Sequence, residues 1–407
     1  MLFIVLGRLY GAEGVGVFAL AQSIYLGAGI LARYGMDNTL MRYVGQDPTA
    51  SVVPVYLRMA LTKSALLSTV AAVIVFLLRD QFARWFDAPM LGIVLPGIAL
   101  AIPPFTVAFV LAGFMKGIRK PATACLLENG IISLITVGIL LGANIFLEVN
   151  IASIGWIMAI AAWLVFGLGF CQIILWFRDS ILVQTNITLE YKQFKATSNV
   201  FFTMTLAELM QTVITVMIAG VLLNSSELGM LKVAERIALL ISFILAVING
   251  VLPPVFAKLY NQGNTLEISK IARKGVQAGL ILTSPVILVC LIAPSWVLSH
   301  FGAEFCEAST LLRIIVLAQA FNVATGSVGF ILNMTGNARL MRNISLICNA
   351  FGVGIILLLV PRLGPMGAIV ALSFTLIIQK SVALYFVWEK LQIWPIPLIR
   401  SPKSVTC

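Results

Sequence analysis

GVFALAQSI (16–24) returns as GMLKVAERI (229–237), placing Gly16, Ala21 and Ile24 opposite Gly229, Ala234 and Ile237. Further along, MKGIRK (115–120) is echoed by MTGNAR (334–339). Ile154-Gly155 with Ala159, Trp176 and Arg178 is echoed by Met366-Gly367 with Ala371, Trp388 and Lys390. The offsets of 213, 219 and 212 residues keep the matches in one order, which reads as a tandem duplication. Apolar stretches of bilayer-spanning length carry this repeat along the chain. A duplicated helical membrane protein has two similar lobes, and transporters bind cargo at the seam between such repeats.

Composition agrees. Hydrophobic residues make up 60% of the 407, charged residues 11%, and the mean hydropathy is +1.03. A soluble domain carries about 25% charged residues, so a soluble protein is excluded. Crossing a hydrocarbon core of about 30 Å takes roughly 20 apolar helical residues. Stretches of that kind lie near 14–37, 55–78, 90–115, 121–147 and 152–177, then near 199–223, 229–257, 275–297, 309–333, 343–361 and 365–388. Eleven complete spans are expected, with MLFIVL (1–6) as a fragment of a twelfth. The expected organisation is an N-terminal transmembrane lobe over 1–177, an interlobe linker over 178–198, a C-terminal lobe of six spans over 199–390 and a tail over 391–407. The linker carries TLEYKQFK (188–195), either a short helix on the membrane surface or a plain tether.

The net charge of +11 has a topological distribution rather than a nucleic-acid one. With the C-terminus in the cytoplasm, 20 of the 27 Lys and Arg fall near cytoplasmic ends, among them Lys116, Arg119, Lys120, Lys192, Lys274 and Lys390. This is the positive-inside bias. It also gives that face an attraction for anionic headgroups and phosphorylated substrates. Six scattered cysteines without CxxC spacing read as small packing residues, not as a zinc or disulfide framework. The first residues lack the basic start and cleavage site of a secretory signal.

Catalytic patterns are missing: there is one histidine, His300, and no HExxH, GxSxG, Walker loop or DxD. The expectation is a protein that is not an enzyme and needs no metal or cofactor. What remains are charges inside spans, each costing several kcal/mol unless paired or facing a watery cavity. Glu208 sits mid-span with Gln211 on the same helical face. It has two readings, ion coupling or cargo contact on one hand and a structural partner for a neighbouring helix on the other. Lys232 and Arg236 share a face, with Glu235 able to neutralise one of them. Arg236 is either a helix-start cation at the interface or deep enough to hold a phosphate. Glu128 and Asn129 lie about 10 Å into their span, with Lys380 and Lys63 at similar depth in theirs. Arg33 and Arg313 lie nearer interfaces, where snorkelling accounts for them. The expected cavity residues are therefore Arg236, Lys380, Arg33, Glu128 and Asn129, with Glu208 for ion coupling.

GRLYGAEGVGVFALAQSI (7–24), followed by Tyr34 to Asn38 and Met41-Arg42-Tyr43, resembles the opening of polysaccharide-unit flippases. These form a branch of the multidrug/oligosaccharidyl-lipid/polysaccharide exporter superfamily. KVAERIALLISFILAVINGVLPPVFAKLYNQGN (232–264), FGAEF (301–305), MTGNARLMRNISL (334–346) and PRLGPMGAIVAL (361–372) extend the resemblance over essentially the whole chain. It implies an all-α integral membrane protein of two six-helix lobes in a V around a cavity, with both termini cytoplasmic. It implies movement of undecaprenyl-diphosphate-linked sugar units across the bacterial inner membrane, beside polysaccharide polymerases and glycosyltransferases. The family's first helix should precede Gly7, so here it is truncated to Met1 to Leu6. The family has no shared motif to carry over, so the site residues rest on burial physics. Two alternatives stand beside this reading. A cation-coupled drug antiporter of the same fold would want acids in the first lobe, where only Glu128 qualifies. A polysaccharide polymerase or ligase would want a large charged extracellular loop, and the sequence has none.

Overall fold

The computed structural model describes residues 2–146, 150–179, 191–209 and 213–395. They form helices throughout, with no strand among the described residues. The first half runs α1 (Leu2–Arg33), α2 (Met36–Gln46), α3 (Val53–Leu77), α4 (Arg79–Trp85) and α5 (Pro89–Gly117). Then come α6 (Pro121–Cys125), a π-helical turn (Leu126–Gly130), α7 (Ile131–Phe146) and α8 (Ala152–Asp179). After the linker follow α9 (Tyr191–Leu209), α10 (Thr215–Leu222), α11 (Ser225–Asn261), α12 (Thr265–Ile292) and α13 (Pro294–Ser299). The chain closes with α14 (Ser309–Thr325), α15 (Val328–Met334), α16 (Ala338–Leu363) and α17 (Pro365–Leu391). Proline in the first turn starts α3, α5, α6, α13 and α17, where its missing N–H costs nothing. Asn264 caps α12 by accepting from the Glu267 amide at 3.1 Å.

Among the described residues eight helices are long and apolar enough to cross a membrane, or nine if the bent pair 122–128 and 131–144 is one span. The expected eleven differ for local reasons. The span near 199–223 is described as α9 and α10, on either side of 210–212, which lie outside the described residues, as does most of the linker (180–190). The span near 229–257 is α11, a 37-residue helix. The span expected at 275–297 begins at Thr265, because the helix continues through the polar turns TLEISKIARKG, which hydropathy does not count. The span near 309–333 breaks into α14 and α15 at Gly326, whose φ of 68° and ψ of −145° suit glycine alone. The leading fragment is helical from Leu2 and joins the next span through one non-helical residue, Gly11.

The chain forms two compact units, Met1–Tyr10 with Gly16–Ser225, and Gly11–Val15 with Ser226–Cys407. In the first, α5 is the central helix, burying Leu91, Leu95, Ile98, Ile102 and Phe114 against α2, α3 and α8. Its crossing with α8 is close because two glycines meet. A Cβ on Gly97 would lie 2.2 Å from the Gly155 carbonyl carbon, and one on Gly155 2.2 Å from the Val94 oxygen. Small residues allow such approach where lipid offers no hydrophobic drive between helices. In the second unit, Phe256, Ile268, Val328, Ile331, Leu332, Leu384 and Val387 build one core from α11, α12, α15 and α17. Leu66, Val70, Leu77, Ile281, Ile292, Ile347 and Leu358 stay exposed on both units, as expected of side chains whose solvent is lipid.

Candidate functional site

In the first unit the charges are mostly answered. Arg33, near the end of α1, is buried rather than snorkelling. Its Nη1 stands 3.3 Å from Asp37 Oδ2, and its guanidinium lies 4.3 Å from the Phe109 ring centroid. Lys63 on α3 holds its ammonium 3.6 Å over the Tyr34 ring, and Phe202 of α9 stacks on that ring at 4.2 Å. Glu128 sits on the π-helical turn, an insertion that re-aims side chains and recurs at functional sites. It pairs with Lys116 at the end of α5.

Glu128 also borders a cavity of about 60 Å³ lined by Gln22 and Tyr25 of α1 and Ser133 and Thr136 of α7. The Tyr25 hydroxyl is fully buried without a hydrogen-bond partner among the described residues. Leu2, Leu26, Phe105, Ile132 and Met158 complete its lining, and a cavity of this size with several polar groups has room for water. Of its lining, sequence reading found only Glu128. Gln22 and Tyr25 share a helical face at i, i+3, which was the available signal. Ser133 and Thr136 gave none, because hydroxyls in apolar helices bond back to their own helix, as Thr136 does to the Ile132 carbonyl at 2.7 Å. The Asn129 side chain lies outside the described residues.

In the second unit, Lys232 pairs with Glu235 in α11, and Arg236, next in sequence, is exposed on the helix surface. Lys380 differs from these. It is half-buried at the centre of the face of α17 that buries Ser373, Ala383, Leu384 and Val387. No hydrogen bond or ion pair holds its ammonium among the described residues. Val328, Ile331 and Leu332 of α15, which follows the break at Gly326, share one core with Ala383, Leu384 and Val387, which begin one turn along α17 from Lys380.

Around that break runs a set of polar links that sequence reading missed. Ser242 donates to Gln319 at 2.7 Å, Asn322 donates to Gln319 at 3.0 Å, and Ser327 donates to Asn249. Gln379, beside Lys380, donates to Ser345 at 2.8 Å. The Asn322 side-chain oxygen, Oδ1, is buried without a partner among the described residues. Neutral polar residues are too common in spans to be singled out without their neighbours. Glu208 lies in α9, its side chain outside the described residues together with Gln211.

Asp37→Asn would leave the buried Arg33 without its carboxylate. It is expected to cost about 3 kcal/mol, visible as a lowered melting temperature in detergent.

Comparison with known proteins follows the same lines. A family model described as polysaccharide biosynthesis protein matches residues 1–260, and one described as MatE matches residues 200–359. No curated protein matches the chain in sequence. A multidrug resistance MATE family transporter of the MOP superfamily, in its inward-facing conformation, superposes with a TM-score of 0.73 at 14% identity. That match covers 96% of this chain and 93% of the transporter. The lipid II flippase MurJ, inward closed, is similar with a TM-score of 0.62 at 15% identity, over 95% of this chain and 87% of the flippase. A MOP superfamily transporter from Pyrococcus furiosus, described as having a binding pocket of reverse polarity, gives 0.57 at 15% identity over 96% and 90%.

Proposed function

The chain belongs to the polysaccharide biosynthesis protein family and has the exporter fold of the MOP superfamily, and from that premise we propose that it flips lipid-linked sugar units. The cargo is an oligosaccharide on undecaprenyl diphosphate, moved from the cytoplasmic to the outer leaflet of the bacterial inner membrane. The C-terminus is cytoplasmic in this reading, which rests on the positive-inside distribution of Lys and Arg. Polysaccharide polymerases and glycosyltransferases are the expected partners.

One observation supports the reading: among the described residues Lys380 lies half-buried within a spanning helix with no carboxylate beside it, while Glu13 is exposed and the Glu208 side chain lies outside them. Asp37, Glu128 and Glu235 each pair with an Arg or Lys. Lys380 has no such partner among the described residues. A diphosphate cannot cross hydrocarbon unaided because of its desolvation cost, and an ammonium without a counter-charge supplies what it lacks. A carrier of cationic drugs would need the opposite balance. Arg236, whose planar fork suits phosphate oxygens, is the second headgroup contact, and Arg33 a weaker third because Asp37 already engages it. The cation-coupled antiporter remains the second reading, favoured by the cavity beside Glu128.

The test is flipping by purified protein in liposomes, using a fluorescent undecaprenyl-diphosphate sugar beside a cationic dye. Flipping of the diphosphate lipid, reduced about tenfold or more by Arg236→Ala, is expected. Dye transport without lipid flipping would sink the proposal. Glu208→Gln removes charge while keeping shape; unchanged flipping from pH 6 to 8 would make Glu208 a structural residue.

A further inference from the structure

Away from the polar interior, a cavity of about 690 Å³ opens at the α3–α4–α5 turn of the first unit. Arg79, Asp80, Arg84 and Asp87 line its polar side, and Ile93 and Pro96 its apolar side. α3 ends at Leu77 and α5 begins at Pro89, and both are long enough to cross a membrane. The turn between them therefore sits at the level of lipid headgroups. Trp85, exposed at 55%, is the aromatic type that collects at that level.

One pair of the cavity's charges meets directly, and the other two side chains are placed apart. The Arg79 guanidinium lies 5.0 Å from the Phe76 ring centroid, with its Nε 3.6 Å from Asp80 Oδ1. Arg84 is anchored through Nη2 to Gln81 Oε1 at 2.7 Å and through Nε to the Asp80 carbonyl at 3.4 Å. Asp87 occupies a left-handed conformation, φ 45°, and its carboxylate has no hydrogen bond or ion pair among the described residues. Gly92 keeps the floor open: a Cβ there would stand 3.4 Å from Ala83 Cβ and 3.7 Å from Asp80 Oδ1.

Two cations and two carboxylates around one opening do not suit a purely anionic ligand, which would meet Asp80 and Asp87. They suit a ligand that carries both signs. The apolar side, Ile93 and Pro96, with Phe76 and Leu77 at the end of α3 also exposed, asks for acyl chains below the charged part.

We propose that this cavity binds the headgroup of a phospholipid bearing a phosphate and a primary ammonium. The phosphate sits against Arg79 and Arg84, whose forked donors match its oxygens. The ammonium sits against Asp80 and Asp87, donating hydrogen bonds that a quaternary ammonium cannot make. The site is independent of what the protein transports.

The experiment uses delipidated full-length protein in detergent, with added phosphatidylethanolamine, phosphatidylcholine, phosphatidylglycerol or soluble phosphoethanolamine. Bound lipid is counted by native mass spectrometry, and unfolding temperature is followed in parallel. Phosphatidylethanolamine is expected to bind about tenfold more tightly than the other two lipids and to raise the unfolding temperature. Asp87→Asn should remove that preference while leaving phosphatidylglycerol binding unchanged, and Arg84→Ala should weaken binding of every phospholipid. Both positions are exposed, so neither variant depends on repacking a core. Gly92→Leu should fill the cavity and abolish retention. Equal binding of the three lipids, or wild-type selectivity in Asp87→Asn, overturns the proposal. Full stabilisation by soluble phosphoethanolamine would replace the lipid with a small ligand and overturns it too.

Discussion

Lys380→Met is expected to abolish surface polysaccharide in a complementation assay without lowering the protein's level or melting temperature. A lysine near the middle of a membrane helix costs about 2.5–3.5 kcal/mol to insert. Here that cost has no visible return in folding, because no carboxylate or hydrogen-bond acceptor among the described residues meets the ammonium. Methionine keeps the length of the stem and removes the charge. If the charge serves cargo, transport falls at least about 30-fold, as when one partner of a buried charge pair is lost for ~2 kcal/mol. Lys380→Arg, which keeps the charge with a different shape, should retain part of the activity. A methionine variant that complements fully would end the cationic-cavity assignment. A variant that melts early would make Lys380 structural.

Gly97→Leu should yield no stable protein. The α5–α8 crossing brings backbone against backbone, since a Cβ at Gly97 would lie 2.2 Å from the Gly155 carbonyl carbon and 2.4 Å from the Trp156 amide nitrogen. Neither atom can rotate away as a side chain would, so the helices must separate. Overpacking a core ordinarily costs about 1–3 kcal/mol and more where nothing can move, against a total stability of about 5–15 kcal/mol. Separation would also open α5, which buries 20 of its 29 residues. Gly138→Ala is the control: nothing lies within 4 Å of a Cβ there, and the helix should gain about 0.5–1 kcal/mol. Size-exclusion profiles and thermal melts in detergent separate the two outcomes. A Gly97→Leu protein as stable as the wild type would mean that α5 and α8 do not cross at this point.

Helical class and membrane residence were legible in the chain itself, because hydrocarbon forces every spanning segment to satisfy its own backbone and so writes itself as a long apolar stretch. The starts of α3, α5, α8, α16 and α17 fall within a few residues of where hydropathy puts them. Lys380 and Glu128 were legible for the same reason, as charges where charge is costly. Hydropathy could not see that α12 runs ten residues beyond its apolar core, nor that the span after Ser309 breaks at Gly326. Those are matters of capping and backbone conformation rather than of polarity.

Which charges are already spent was decided by tertiary structure alone. Arg33 stands four residues from Asp37 and reads from sequence as a snorkelling cation, yet it is buried against that carboxylate and the Phe109 ring. Lys63 lies on Tyr34, a contact across 29 residues of chain that no spacing rule announces. Lys116 reaches Glu128 because α5 and the π-helical turn fold back on each other. Sequence sets the cost of each buried charge through residue type and depth. Three-dimensional packing decides whether a partner arrives to meet that cost, and among the described residues it brings none to Lys380.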